Sequence, residues 1–271
     1  MTSTPGNAGL AGLVADEVRF EQHGAVALVT LTRPHARNAI NVGLAQALSR
    51  ALDAVEQSSE IAVCILLADT GGNGVYCAGA DLKDLAAGRA DELSNENGLG
   101  GLTERMRAKP LIAAVDGLAL GGGCELVLAC DLVVASTISG FGLPEVRRNL
   151  LASAGGVYRL PRALGTRVAM EAVLTGKPVS AERAYQLGMV NHLVESSAVL
   201  DTALSLAADI AAAAPVASRL ARSIVLDAWR REESELRASA VAASVQLRAM
   251  ADTREGVLAF TERRVPVWRG L

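Results

Sequence analysis

The stretch LALGGGCELVLACDL, residues 118–132, decides the fold. It places Gly121, Gly122 and Gly123 just before one carboxylate, Glu125, which sits among Leu, Val, Ala and Cys. Ionised carboxylates are almost never fully buried without a partner, so a Glu in this company asks for a reason. Residues 121–130 suit a helix. The segments on either side, LIAAVDG (111–117) and DLVVAS (131–136), are short apolar runs of the kind that form strands buried on both faces. Strand, helix, strand in this order is a βαβ-type unit and predicts an α/β class. The helix start near Gly122 has N–H groups without intrahelical partners, and glycine lets that backbone come close to a ligand.

Working outward, GAVALVTLT (24–32) alternates and is rich in β-branched residues, and EIAVCILLA (60–68) is another apolar run; both predict strands. Between them, Asn41 can cap a helix carrying Leu44, Leu48, Leu52 and Val55 at helical spacing. After about residue 160 the pattern becomes alanine-rich and amphipathic, predicting helices over 165–174, 180–187, 196–213, 215–230, 232–250 and 253–263. Ser180, bonding the third residue on, and Gly188 bracket one of them. The expected organisation is a loose tail over 1–14, an α/β core over 15–195 and a helical part over 196–271. Apolar faces such as ALSLAADIAAAA suggest subunit packing, with burial inside the chain an equal alternative.

The 271 residues allow one large domain or two modest ones. With 51% hydrophobic and 20% charged residues the composition is that of a soluble globular protein. A net charge of -3 and 3% aromatics argue against nucleic acid as a partner. Glu125 and Asp131 interrupt the best apolar run, so no membrane span is expected. The tail lacks a basic stretch and does not read as a signal peptide. Cys64, Cys77, Cys124 and Cys130 form no CxxC and read as buried, reduced thiols, which sets the expectation of a cytoplasmic protein.

Several chemistries fall away. LASAG (151–155) has Leu151 where a serine hydrolase elbow needs glycine. His23, His35 and His192 show no metal spacing, so no metal site is expected. There is no GxxxxGK[ST], and GLALGGG (117–123) does not fit GxGxxG. Two glycine-bearing turns remain, CAGADL (77–82) and GGGCEL (121–126), together with two carboxylates. Facing turns of this kind can hold one oxyanion between two backbone N–H donors, each typically worth about 3–4 kcal/mol in a transition state. The second carboxylate, Glu145 in FGLPEVRRN (141–149), reads in isolation as a solvated loop residue paired with Arg147 or Arg148. Glu125, expected to be buried, should have a raised pKa suited to proton transfer near neutral pH.

These residues resemble the crotonase superfamily, most closely its enoyl-CoA hydratases. The matching pieces, in the family's order, are RPHARNAI (33–40), YCAGADLKDL (76–85), DGLALGGGCELVLACDL (116–132), FGLPEV (141–146), AGGVYRLPRALG (154–165), TGKPVSAERAYQLGMVNHLV (175–194) and EGVLAFTERRVP (255–266). The resemblance implies an α/β spiral of ββα turns, a helical C-terminal region that assembles trimers or stacked hexamers, and an acyl-CoA thioester substrate with no separate cofactor. It implies that the N–H groups of Ala80 and Gly122 form an oxyanion hole and that Glu125 and Glu145, 20 residues apart, are the hydratase pair. Substrate contacts are implied at Arg37, Ala78, Asp81, Leu82, Gly121 and Arg263. The chain departs from the pattern at Ala152, where the family usually has proline in a segment lining the acyl pocket. Double-bond isomerisation, dehydration of a special thioester such as a carnitinyl ester, or idle acyl-CoA binding are the alternatives.

Overall fold

The computed structural model describes residues 17–270, so the tail expected over 1–14 lies outside the described residues. The chain divides into two compact units, one ending at Ala207 and one beginning at Ala208.

The first unit opens with a hairpin, β1 (Val18–His23) and β2 (Val26–Leu31), paired antiparallel around Gly24, whose φ is 59°. Helix α1 (Val42–Gln57) follows. The Asn41 side chain accepts from the Leu44 N–H at 2.8 Å, and the predicted stripe of Leu44, Leu48, Leu52 and Val55 is buried.

Three strand–strand–helix turns come next. The first is β3 (Val63–Ala68), β4 (Val75–Cys77) and α2 (Leu82–Ala86). A small hairpin, β5 (Ser94–Asn95) and β6 (Gly98–Leu99), separates it from the second, which is β7 (Leu111–Val115), β8 (Leu118–Leu120) and α3 (Gly122–Leu128). The third is β9 (Leu132–Ser136), β10 (Gly140–Gly142) and α4 (Gly156–Leu164). Helix α5 (Thr166–Thr175), strand β11 (Val179–Ser180), helix α6 (Ala181–Gln186) and strand β12 (His192–Val194) complete the layers, and Ser180 caps α6 by accepting from the Arg183 N–H at 3.2 Å.

The topology explains the repeat. In every turn the first strand joins a six-stranded sheet, ordered β1-β2-β3-β7-β9-β12, and the second joins a four-stranded sheet, ordered β11-β10-β8-β4. The chain therefore winds as a spiral, and the first strands are apolar but for Ser136 at the end of β9, because both their faces are covered. The core between the layers includes Tyr76, Phe141, Leu66 and Leu126, all fully buried. One consequence positions the site: β4, β8 and β10 run parallel side by side, so their C-terminal ends emerge on one edge. The connections leaving that edge, residues 78–81, Gly121 and residues 143–155, are brought together by the sheet itself.

Helix α7 (Val199–Ala212) buries Val199, Ala203 and Ala207, one residue per turn, and ends within the second unit. That unit holds α8 (Pro215–Asp227), α9 (Glu233–Arg248) and α10 (Ala251–Glu262). Its last residues are tied down by Asp252, whose carboxylate accepts from the Arg269 and Gly270 N–H groups at 2.9 and 2.8 Å, and by Trp268, whose Nε1 donates to the Ala212 carbonyl at 2.8 Å. Among the described residues no single helix is long and apolar enough to cross a membrane.

Candidate active site

The two glycine-bearing turns meet. A parallel bridge joins Ile40 to Ala80: the Ile40 N–H donates to Gly79 O and the Asp81 N–H to Ile40 O, each at 2.8 Å. This pattern skips the Ala80 N–H. On the facing turn, Gly122 is the first residue of α3, where an N–H has no intrahelical acceptor. The two come close because neither turn carries bulk. A Cβ on Gly122 would stand 3.4 Å from Ala80 N, and one on Gly79 would stand 2.9 Å from Gly122 N. Gly79 and Gly121, with φ of 90° and 54°, also supply backbone conformations that side-chain-bearing residues rarely adopt. Ala80 and Gly122 line one cavity of 540 Å³.

Glu125 opens into the same cavity from the first turn of α3, though the residue is only 3% exposed. Its carboxylate accepts from the Gly156 N–H at 2.9 Å, at the start of α4, and also meets the Ala154 backbone. Burial raises its pKa from an ordinary 4.5 to about 7; the Gly156 bond opposes that rise, and the negative field of Glu145 adds to it. Glu125 is buried, as its apolar neighbours in the sequence predict.

Glu145 corrects the isolated-loop alternative. It lies on a 3₁₀ turn, Pro144–Arg148, and lines the cavity rather than pairing with its neighbours. The Arg147 guanidinium donates instead to the Thr175 carbonyl, at 3.0 Å from Nε and 2.8 Å from Nη2. Burial raises the Glu145 pKa above the ordinary carboxylate range, with Arg148 pulling the other way, and its Oε2 is buried with no hydrogen-bond partner. A Cβ on Gly121 would stand 2.9 Å from Glu145 Oε1, so glycine at that position is what lets the acid reach the α3 turn.

Of the other residues singled out in the sequence, Arg37, Ala78, Leu82 and Gly121 are on the cavity wall. Asp81 is not. Its carboxylate caps α2 by accepting from the Lys83 N–H at 2.9 Å and pairs with Arg33 at 2.8 Å, so its role is to hold the Ala80 turn. Arg263 belongs to the second unit, where it ends α10 in a left-handed conformation; the wall of this cavity is drawn from the first unit. Ala152, the departure from the family pattern, is buried away from the cavity. A Cβ on Gly156 would meet its methyl at 2.8 Å. The wall contributed by this segment is Leu150, Leu151, Ser153 and Ala154.

Gly156 as the donor to Glu125, Leu99 beside Gly122 and Arg148 on the wall were not picked out from the sequence. The Gly155–Gly156 pair was the visible signal for the first; the other two left none. The free thiols agree with the reading of the sequence, with Cys64, Cys77 and Cys124 fully buried and Cys130 partly so.

The chain matches the profile of the enoyl-CoA hydratase/isomerase family over residues 21–270. It is 39% identical over 259 residues to a 2,3-dehydroadipyl-CoA hydratase of Escherichia coli K12, covering 90% of this chain and 95% of that protein. It is also 39% identical over 249 residues to a mevalonyl-coenzyme A hydratase of Aspergillus fumigatus, covering 90% and 91%. Among solved structures, an enoyl-CoA hydratase from Mycobacterium tuberculosis H37Rv superposes with a TM-score of 0.89 at 41% identity, over 95% of this chain and 100% of that one.

Proposed function

Because the chain belongs to the enoyl-CoA hydratase/isomerase family and shares its spiral fold, we propose that it adds water reversibly across the double bond of a 2-trans-enoyl-CoA thioester, giving the 3-hydroxyacyl-CoA. The observation that carries this reading is the convergence of two carboxyl groups, Glu125 and Glu145, on the cavity that also receives the skipped N–H of Ala80 and the first N–H of α3.

The chemistry follows from that placement. Addition of water at C3 pushes electrons toward the thioester and leaves an enolate with charge on its oxygen. The N–H groups of Ala80 and Gly122 receive that charge in this reading, in a cavity whose largely apolar wall strengthens the interaction. With the pair's proton on Glu145, Glu125 takes one proton from the water as its oxygen bonds to C3, and Glu145 gives its proton to C2. Two buried carboxyls in one cavity resist being ionised together, which favours a state with one proton on the pair. The unpartnered Glu145 Oε2 offers an acceptor for the incoming water.

In this reading Arg37, Ala78, Leu82 and Gly121 line the path of the CoA thioester, and Arg263 adds a basic contact. CoA arrives as part of the substrate, so the reaction needs no separate cofactor. The protein acts in the cytoplasm in fatty acid or related acyl-CoA breakdown, as a trimer or dimer of trimers built through the exposed apolar residues of the second unit. These roles rest on the family pattern, the reduced cysteines and the exposed Val225, Trp229, Val245 and Phe260. Intact placement of both acids favours water chemistry over isomerisation or idle binding. The similar proteins are named for acyl groups as different as dehydroadipyl and mevalonyl, so the acyl group is found by experiment. The purified chain is incubated with crotonyl-CoA and with longer, branched and ring-bearing enoyl-CoA esters, and the enoyl-thioester absorbance is followed. Loss of absorbance with formation of 3-hydroxyacyl-CoA is expected for at least one ester; no hydration of any would overturn the proposal.

A further inference from the structure

The cavity wall carries two cations, Arg37 and Arg148, and they sit on different elements. Arg37 belongs to the loop that braces the Ala80 turn, its carbonyl accepting from the Ala78 N–H at 3.0 Å. It is on the side where the thioester carbonyl would be held. Arg148 belongs to the turn that carries Glu145. In a 3₁₀ turn, side chains three residues apart lie one above the other, so Arg148 stands over Glu145 on the face that meets the cavity. Its neighbour Arg147 is spent on Thr175, whereas Arg148 makes no side-chain hydrogen bond among the described residues and acts on Glu145 through its charge. The hydroxyl-bearing Ser153 shares its stretch of wall between the apolar Leu150, Leu151 and Ala154.

A guanidinium on the cavity wall beside the acid that serves C2, next to the apolar Leu150, Leu151 and Ala154, can receive a carboxylate on its planar fork in two parallel hydrogen bonds. We propose that Arg148 is a specificity-determining residue that binds a carboxylate carried at the far end of the acyl group, so that the preferred substrates are CoA monothioesters of unsaturated dicarboxylic acids. This rests on the hydratase reading for which end of the cavity holds the acyl group, but binding alone can test it.

The experiment measures, by calorimetry, the affinities of hexanoyl-CoA and of the CoA monothioester of the saturated six-carbon dicarboxylic acid. Both are inert to hydration. Wild type, Arg148→Ala and Arg148→Lys are compared, with thermal unfolding to confirm folding. Wild type should favour the carboxylate-bearing ester by about 10- to 100-fold, the range expected for a charge-assisted pair. That ratio should collapse toward one in Arg148→Ala and be partly restored in Arg148→Lys. Equal wild-type affinities for the two esters would overturn the proposal. So would an Arg148→Ala variant that weakens both esters equally, since Arg148 would then serve the CoA phosphates. Crotonyl-CoA hydration by wild type is scored separately: turnover without a carboxylate preference removes the role of Arg148 and leaves the hydratase reading standing.

Discussion

Glu125 gives up nearly all its hydration on folding and receives little in return, the backbone of Gly156 and Ala154. The imbalance holds its proton to about pH 7, against 4.5 for an ordinary glutamate. The consequence for stability has a definite sign. Between these two values the unfolded chain has lost the proton and the folded chain keeps it, so stability falls as pH rises from about 4.5 to about 7 and is level above. Glu125→Gln removes the titration and keeps an acceptor for Gly156. The variant should gain on wild type across that window by up to about 3 kcal/mol, read by urea unfolding at a series of pH values. A constant difference from pH 4 to pH 8 would show that Glu125 titrates normally. At this scale the sequence was half legible. The apolar neighbours of Glu125 announced its burial, because a helix that follows a buried strand shares its core. Glu145 was ambiguous, since nothing local reveals that Arg147 turns to the Thr175 carbonyl of a distant helix. The partner of Asp81 was hidden for a similar reason: Arg33 is 48 residues away.

Elements decide how closely the two turns approach. A methyl on Gly123 would meet the backbone carbonyl of Cys77, which cannot move without breaking β4, whereas one on Gly122 would meet the tip of Leu99 at 2.7 Å and intrude beside Ala80 N. The two alanine variants should therefore differ in kind. Gly123→Ala loses about 1–3 kcal/mol of stability, seen as a lower unfolding midpoint. Gly122→Ala stays folded but loses about 10- to 100-fold in turnover through a disturbed donor pair. Equal behaviour of the two in circular dichroism and activity would contradict this division. The longer strands and helices were readable because burial imposes an apolar run or a period on five or more residues. Strands β4, β8 and β10 were not, since three residues carry no period. Yet these short strands bring the site residues together. The alternation of β1, with Val18 and Phe20 buried between Arg19 and Glu21, was present in the sequence and passed over. Helix α4 begins at glycine and contains Pro161, both of which argue locally against a helix.

For the whole molecule, the spiral folds one supersecondary unit over and over, and the active edge is a by-product of that winding. The second unit leaves Val225, Trp229, Val241, Val245, Val257 and Phe260 exposed, more large apolar surface than an isolated helical unit ordinarily shows. Light scattering of the purified protein should give the mass of a trimer or hexamer of a 28.0 kDa chain. A monomer at micromolar concentration would leave those residues unexplained.

The central claim is that two acids share the work on one water. Its most direct measurement is the decay of enoyl-thioester absorbance with crotonyl-CoA, or the best ester found, for wild type, Glu125→Gln and Glu145→Gln, alongside the affinity of a saturated acyl-CoA. Each variant should bind the ester nearly as wild type does while losing at least about 100-fold in turnover. Near wild-type turnover in either variant would contradict the paired-acid mechanism.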